Sequence, residues 1–135
     1  MRRALIIDDD VQTLALTKRW LQAAGYEVVT SSDFLDGRSQ LRACLPDVMI
    51  ADVRLGAFNG LQLGLLARDR FPEVRVVIVS GWDDPVIRRD ADELGAVYLQ
   101  KPFSPEELLS AIGFDDMSES YGPAQETWWR EREWF

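Results

Sequence analysis

The sequence predicts an α/β domain in which a five-stranded parallel sheet is doubly wound, with five helices on its two faces. Five short apolar runs alternate with five amphipathic segments of helical period, and the connections between them are short. Repeated βα units of this kind form parallel sheets through right-handed crossovers. The third run, VMIA at residues 48–51, is apolar throughout, which is typical of a central strand covered on both faces.

The individual elements follow from the apolar runs and from the residues that begin helices. The predicted strands cover residues 4–7, 26–30, 48–52, 74–79 and 97–99. The predicted helices cover about residues 11–24, 34–45, 60–71, 85–94 and 105–112. Asp10, Asn59 and Ser104 stand at helix starts, where side-chain oxygens accept from the free N–H groups of the first turn. Glycine or proline follows each helix, which marks its end.

Length and composition are those of one globular domain without a membrane span. The chain has 135 residues, of which 47% are hydrophobic, and it contains no run of 18 apolar residues. The apolar run near the N-terminus has four residues, too few for a signal peptide. The single cysteine, Cys44, excludes an internal disulfide and is interpreted as a core residue. We therefore expect a cytoplasmic protein.

Charge and the missing histidine exclude several function classes. The net charge is −8 and no basic patch is visible, so direct nucleic-acid binding is not expected. The chain has no histidine, which excludes Ser-His-Asp and Cys-His catalysis and histidine metal sites. It also excludes phosphohistidine chemistry on this chain. Any chemistry must use carboxylates, hydroxyls, lysine and an oxygen-seeking metal.

Polar side chains follow four of the predicted strands. Asp8 and Asp9 come after the first strand, Asp52 ends the third, Ser80 follows the fourth and Lys101 the fifth. A single polar residue at a strand end is explained by its exposure to water. Several of them are more informative, because the carboxyl ends of parallel strands lie at one edge of the sheet, where ligands bind. Three carboxylates there repel each other and need a hard cation, Mg²⁺ or, as the alternative, Mn²⁺. With a hydroxyl and an ammonium group they form a candidate phosphoryl-transfer site, in which a carboxylate can be the nucleophile.

Four motifs in this order resemble the receiver domain of two-component response regulators. They are IIDDD at residues 6–10, DVRLGAFNG at 52–60, VIVSG at 77–81 and YLQKPFS at 98–104. The resemblance covers residues 1–113. It implies a flavodoxin-like, CheY-like fold with strand order 2-1-3-4-5 and a phosphoacceptor function.

The resemblance also implies an acceptor and a metal site. Asp52 matches the phosphoacceptor, which takes a phosphoryl group from the phosphohistidine of a sensor histidine kinase or a histidine phosphotransfer protein. Asp9 matches the direct Mg²⁺ ligand, and Asp8 the ligand that acts mainly through water. Asp52 and the backbone carbonyl of Arg54 complete the implied metal site.

The same resemblance implies a switch. Ser80 and Lys101 match the residues that stabilise the phosphoryl group, and the Lys101–Pro102 peptide bond is usually cis in this family. Tyr98 matches an aromatic residue that turns inward when Ser80 moves, and the small Gly81 leaves space for that movement. The implied result is a reshaped face of the fourth helix, fifth strand and fifth helix, which binds an output protein.

Three positions depart from the usual family pattern or match positions that tune its rates. Gly56 stands where members usually have proline, and we expect it to loosen the loop and alter rates without abolishing phosphorylation. Arg54 and Trp82, each two residues after a site residue, match positions that tune water access to the acyl phosphate. A covering Trp82 predicts a long-lived phosphoryl group.

Residues 114–135 form a predicted acidic, tryptophan-rich tail. The tail carries six acidic residues and two arginines, a net charge of −4, and contains Trp128, Trp129, Trp134 and Phe135. It is too short for a DNA-binding output domain. Four alternatives are open: folding back on the domain, a homodimer contact, docking to a partner, or disorder. The face of the fourth helix, fifth strand and fifth helix is a second candidate homodimer contact.

The leading interpretation is a receiver that assists its own phosphorylation and dephosphorylation and is not an enzyme with a separate substrate. A receiver fragment of a longer regulator and a receiver working without phosphorylation are alternatives. The alternative of another class is an aspartyl-phosphate phosphatase of the haloacid dehalogenase type, with Asp8, Ser80, Lys101 and a late acidic pair at residues 115–116. Gln12 does not fit its nucleophile motif, and Asp52 would have no role.

Overall fold

The computed structural model describes residues 2–113. Its seven strands are β1 (Arg3–Ile7), β2 (Glu27–Ser31), β3 (Val48–Asp52), β4 (Arg54–Leu55), β5 (Phe58–Asn59), β6 (Arg75–Ser80) and β7 (Val97–Gln100). Its five helices are α1 (Val11–Ala23), α2 (Phe34–Cys44), α3 (Gly60–Arg70), α4 (Pro85–Glu93) and α5 (Pro105–Ala111). The predictions for residues 114–135 lie outside the described part of the chain.

The predicted architecture is confirmed. Five parallel strands form one sheet in the order β2-β1-β3-β6-β7, which is 2-1-3-4-5 when only these strands are counted. Predicted strand ends differ from the observed ones by at most one residue, and each predicted helix is one residue too long. None of the helices within residues 2–113 is long and apolar enough to cross a membrane.

The sheet separates two apolar layers, because successive residues of a strand point to opposite faces. Leu5, Met49 and Ile78 face the layer that contains α2, α3 and α4, whereas Ile6 and Ile50 face the layer of α1 and α5. Every residue of β3 is buried. The central position predicted for this strand is thereby confirmed, and its carboxyl end is held from both sides.

Helix caps fix the helix starts at the carboxyl edge of the sheet. The side chain of Asp10 accepts from the Gln12 N–H at 3.1 Å, and that of Asn59 accepts from the Leu61 N–H at 2.7 Å. Ser104 caps α5 in the same way. The predicted caps are confirmed. They hold the loops that carry the polar strand-end residues.

The sequence did not predict the hairpin between β3 and α3. Arg54 pairs with Asn59 and Leu55 with Phe58, in an antiparallel ladder with a tight turn. Gly56 lies in this turn with φ +65°, a conformation that glycine adopts without strain. The ring of Phe58 stacks on Phe34 with 4.5 Å between ring centroids. Gly56 therefore has a structural role in an ordered turn, beyond the loosening expected from the sequence.

Candidate functional site

Three carboxylates meet at the carboxyl edge of the sheet. Asp8 directly follows β1 and Asp52 ends β3, and these two strands are neighbours. Asp8 and Asp52 are 4% and 6% exposed, whereas Asp9 is exposed. One carboxylate oxygen from each of the three residues lies within 4.8 Å of the other two. The structure thus brings together the three acidic residues singled out in the sequence, while Asp10 serves as a helix cap.

Lys101 supplies positive charge between the two buried carboxylates. Its Nζ lies 3.0 Å from Asp8 Oδ2 and 3.3 Å from Asp52 Oδ2. Its backbone N–H donates to the Ser80 carbonyl at 2.8 Å, and its peptide bond to Pro102 is cis. Burial opposes the charge, but the hydrogen bond to Asp8 and attraction by Asp52 outweigh it and hold the pKa of Lys101 above its usual value.

The electrostatic balance at Asp52 is unfavourable for its charged form. Burial, and then repulsion by Asp8, raise the pKa of Asp52 to about 6, although Lys101 attracts its charge. One ammonium group cannot neutralise three carboxylates. A cation with a preference for oxygen would remove this imbalance, and the donor set consists of carboxylate oxygens. The site therefore fits Mg²⁺ on both charge and ligand type.

Ser80 and Tyr98 meet at the backbone of Trp82. The buried Ser80 hydroxyl donates to the Trp82 carbonyl at 3.1 Å and accepts from the Trp82 N–H at 3.1 Å. The Tyr98 hydroxyl donates to the same carbonyl. The guanidinium of Arg54 lies 5.0 Å from the centroid of the Trp82 ring. The two positions implied to tune water access thus contact each other.

Two glycines shape the space around the acceptor. A Cβ added to Gly60 would overlap the carbonyl oxygen of Asp52, so the start of α3 approaches the acceptor backbone as only glycine can. Sequence reasoning missed this role, although a glycine directly after the Asn59 cap was a usable signal. A Cβ added to Gly81 would meet nothing within 4 Å, so the space beside Ser80 is open, as the sequence suggested.

Comparison with known proteins places the chain among response regulators. The model of the response regulator receiver domain matches residues 4–113. The alginate biosynthesis transcriptional regulatory protein AlgB of Pseudomonas aeruginosa is 36% identical over 110 residues, which are 81% of this chain and 24% of that protein. The photosynthetic apparatus regulatory protein RegA of Cereibacter sphaeroides is 29% identical over 112 residues, 82% of this chain and 61% of that protein. The chain thus spans less than two thirds of these relatives.

Solved structures give the same result. A CheY-like response regulator receiver domain protein from Methanospirillum hungatei has a TM-score of 0.79 and 28% identity, with coverage of 85% of this chain and 93% of that one. A receiver domain protein from Clostridium thermocellum has a TM-score of 0.76 and 30% identity, with coverage of 84% and 93%. The haloacid dehalogenase alternative is not favoured. This chain belongs to the receiver-domain family of two-component response regulators.

Proposed function

We propose that Asp52 accepts a phosphoryl group from the phosphohistidine of a sensor histidine kinase or a histidine phosphotransfer protein, in the cytoplasm. The observation that carries this proposal is the position of Asp52. It is a buried carboxylate at a strand end, in contact with Lys101 and grouped with Asp8 and Asp9. A nucleophile needs this combination of an electron-rich oxygen and neighbouring groups that accept the incoming charge.

Asp8, Asp9 and Asp52 would hold the Mg²⁺ ion, or Mn²⁺ in its place, together with the backbone carbonyl of Arg54. From the family pattern we assign direct contact to Asp9 and contact through water to Asp8. When bound, the ion supplies positive charge that offsets the carboxylates and the phosphoryl oxygens. The unfavourable charge balance at Asp52 supports this assignment, because it leaves the group of carboxylates in need of a cation.

The residues of the chain divide the chemistry between them. An oxygen of the ionised Asp52 forms a bond to phosphorus while the bond from phosphorus to the histidine nitrogen breaks, and that nitrogen leaves with the electron pair. Lys101 Nζ, already within 3.3 Å of Asp52, pairs with the transferred phosphoryl oxygens. The Ser80 hydroxyl donates to a second oxygen. The protein modifies its own side chain, so it acts as a phosphoacceptor with no separate substrate.

The signal leaves the site through Ser80 and Tyr98. The phosphoryl group adds about −1.5 to −2 charge at the edge of the sheet and draws Ser80 and Lys101 towards it. We propose that Tyr98 then changes its rotamer and alters the face formed by α4, β7 and α5, where an output protein or a second copy of the domain binds. Residues 114–135 are proposed as a separate tail that contacts the domain, a second copy or a partner.

Intact mass spectrometry after incubation with Mg²⁺ and acetyl phosphate tests the acceptor. We expect wild type to gain about 80 Da, one phosphoryl group, and Asp52→Asn to gain nothing. Asp69→Asn is the matched control, since Asp69 is an exposed residue of α3 whose ion pair is with the adjacent Arg70. An adduct that survives in Asp52→Asn would place the chemistry elsewhere. A wild type that accepts no phosphoryl group, even from a kinase, would overturn the proposal.

A further inference from the structure

Arg88 of α4 is an exposed residue with two well-defined contacts. Its guanidinium carbon lies 4.5 Å from the centroid of the Tyr98 ring. Its Nη2 lies 2.7 Å from Asp83 Oδ1, in the loop that connects β6 to α4. The side chain of Arg88 is 53% exposed, so burial does not impose this position. The stacking and the ion pair together hold it on the ring.

A continuous series of contacts leads from Arg88 to Ser80. The ring under Arg88 belongs to Tyr98, whose hydroxyl donates to the Trp82 carbonyl. The same carbonyl accepts from Ser80 Oγ at 3.1 Å. The ion pair between Arg88 and Asp83 adds a second connection to this loop, one residue after Trp82. Arg88 thus contacts both the tyrosine and the loop that set the position of the Ser80 hydroxyl.

The orientation of Ser80 in this arrangement matters for the proposed chemistry. Its hydroxyl donates to the Trp82 carbonyl and accepts from the Trp82 N–H, so its donor is occupied within its own loop. To donate to a phosphoryl oxygen on Asp52, Ser80 must leave this carbonyl. Contacts that hold Trp82 in place therefore favour the state in which Ser80 is turned away from the acceptor.

We propose that Arg88 is a positioning residue for phosphoryl transfer, acting through Tyr98 and the Trp82 carbonyl to hold Ser80 in its unphosphorylated orientation. The inference rests on the proposed function of Asp52. An exposed contact between a cation and an aromatic ring corresponds to about a two- to five-fold shift in a conformational equilibrium. Removing Arg88 should increase the population with a free Ser80 hydroxyl by this factor.

Two measurements test the proposal on Arg88→Ala. Amide hydrogen exchange at Trp82, followed by NMR, should become about two- to five-fold faster, because this N–H donates to Ser80 Oγ. The initial rate of phosphorylation by acetyl phosphate should rise by a similar factor. Loss of a positive charge alone would weaken attraction of the anionic donor and slow the reaction. The expected direction therefore separates positioning from simple electrostatics.

Arg89→Ala is the matched control, because Arg89 is an adjacent, exposed arginine whose ion pair is the 3.7 Å contact with Asp90. Tyr98→Phe keeps the ring but removes the hydroxyl that reaches Trp82. We expect Arg89→Ala to leave both rates unchanged and Arg88→Ala to have a smaller effect in a Tyr98→Phe background, where its connection through Asp83 remains. Arg88→Lys should restore part of the wild-type behaviour.

Unchanged exchange at Trp82 in Arg88→Ala would overturn the inference. It would also be overturned by an equal change in Arg89→Ala, by an effect of Arg88→Ala that is undiminished in Tyr98→Phe, or by faster exchange without faster phosphorylation in a protein that is phosphorylated on Asp52. If wild type takes no phosphoryl group, the proposed function of Asp52 fails and the reaction role of Arg88 fails with it. Faster exchange in Arg88→Ala alone would then still establish the contact from Arg88 to Ser80.

Discussion

Replacing Asp52 by asparagine is expected to stabilise the metal-free protein at neutral pH. Burial and the neighbouring Asp8 raise the pKa of Asp52 from 3.8 to about 6, so the folded protein binds this proton more tightly than the unfolded chain does. Protonated Asp52 therefore makes its full contribution to the free energy of unfolding below about pH 4, and this contribution is lost as the pH rises through about 6. Asparagine has no charge to bury and avoids this loss.

The expected gain in the free energy of unfolding follows from the pKa of Asp52. A shift of about two pH units corresponds to at most about 3 kcal/mol. Asparagine also loses the charged contact with Lys101, at 3.3 Å in wild type, which removes part of the gain. We therefore expect a net increase of about 1–2 kcal/mol in the free energy of unfolding at pH 7.5, and almost none at pH 4.

Urea unfolding of both proteins at pH 4, 5, 6 and 7.5 in EDTA measures this difference. A second series in Mg²⁺ at one hundred times Kd should reverse the order, because binding to the folded state then stabilises wild type by about 2.7 kcal/mol. Asp52→Asn lacks one of the three carboxylates and should gain less.

Asp69→Asn serves as the control for net charge, since its side chain is exposed on α3. An Asp52→Asn protein that is less stable than wild type at pH 7.5 without metal would refute the reasoning. An equal gain in Asp69→Asn would also refute it, because the effect would then come from overall charge and not from the buried site.

Three further changes test the segments around Asp52. Gly56→Pro, the usual family residue, should lower stability by about 1–3 kcal/mol in thermal or urea unfolding, because proline cannot adopt φ +65°; equal or greater stability would contradict the observed turn. Gly60→Ala should slow phosphorylation of Asp52 and lower the stability of the fold, because an added Cβ would overlap the Asp52 carbonyl oxygen; an unchanged phosphorylation rate, followed by intact mass, would exclude that contact. Trp82→Ala, which removes the ring under Arg54, should shorten the phosphoryl lifetime by about two- to five-fold; slower loss of the 80 Da adduct would count against a covering role.

The sequence was sufficient to predict which residues share the carboxyl edge, because all strands of a parallel sheet have their carboxyl ends at the same edge. Asp8 and Asp52 end neighbouring strands, and the side chain of Lys101 follows the last strand of the sheet. Caps such as Asp10 were predictable because each depends on a backbone N–H only two or three residues away. These features require little knowledge of tertiary packing.

Other features of the site depend on packing between distant segments. The hairpin of β4 and β5 has only two residues in each strand, and its Phe58 stacks on Phe34 at the start of α2. The contact of Arg88 with Tyr98 joins exposed side chains from different elements. Neither the stacking nor the cation contact leaves a periodic pattern in the sequence, so neither could be predicted. The raised pKa of Asp52 likewise depends on how completely the neighbouring loops exclude water.

The two edges of the sheet differ in how their charges are satisfied, and the difference supports the site that we propose at the carboxyl edge. At the amino edge, Arg3 donates to Glu27 at 2.7 Å and to the Cys44 carbonyl, and its backbone N–H donates to Asp47 at 2.7 Å. Each of these groups has a partner of opposite charge or a hydrogen-bond partner, which is the arrangement expected where only stability is required.

The carboxyl edge has the opposite character. Asp8 and Asp52 are buried with a single ammonium group, Lys101, between them, and Asp9 adds a third negative charge nearby. Such a cluster lowers the stability of the metal-free domain, yet the surrounding core and helix caps hold it in place. Sequences that specify a fold well depart from stable packing mainly at functional sites. The departure here is an unmet demand for positive charge, which a divalent cation would meet. This ties the electrostatics around Asp52 to the chemistry that we propose for it.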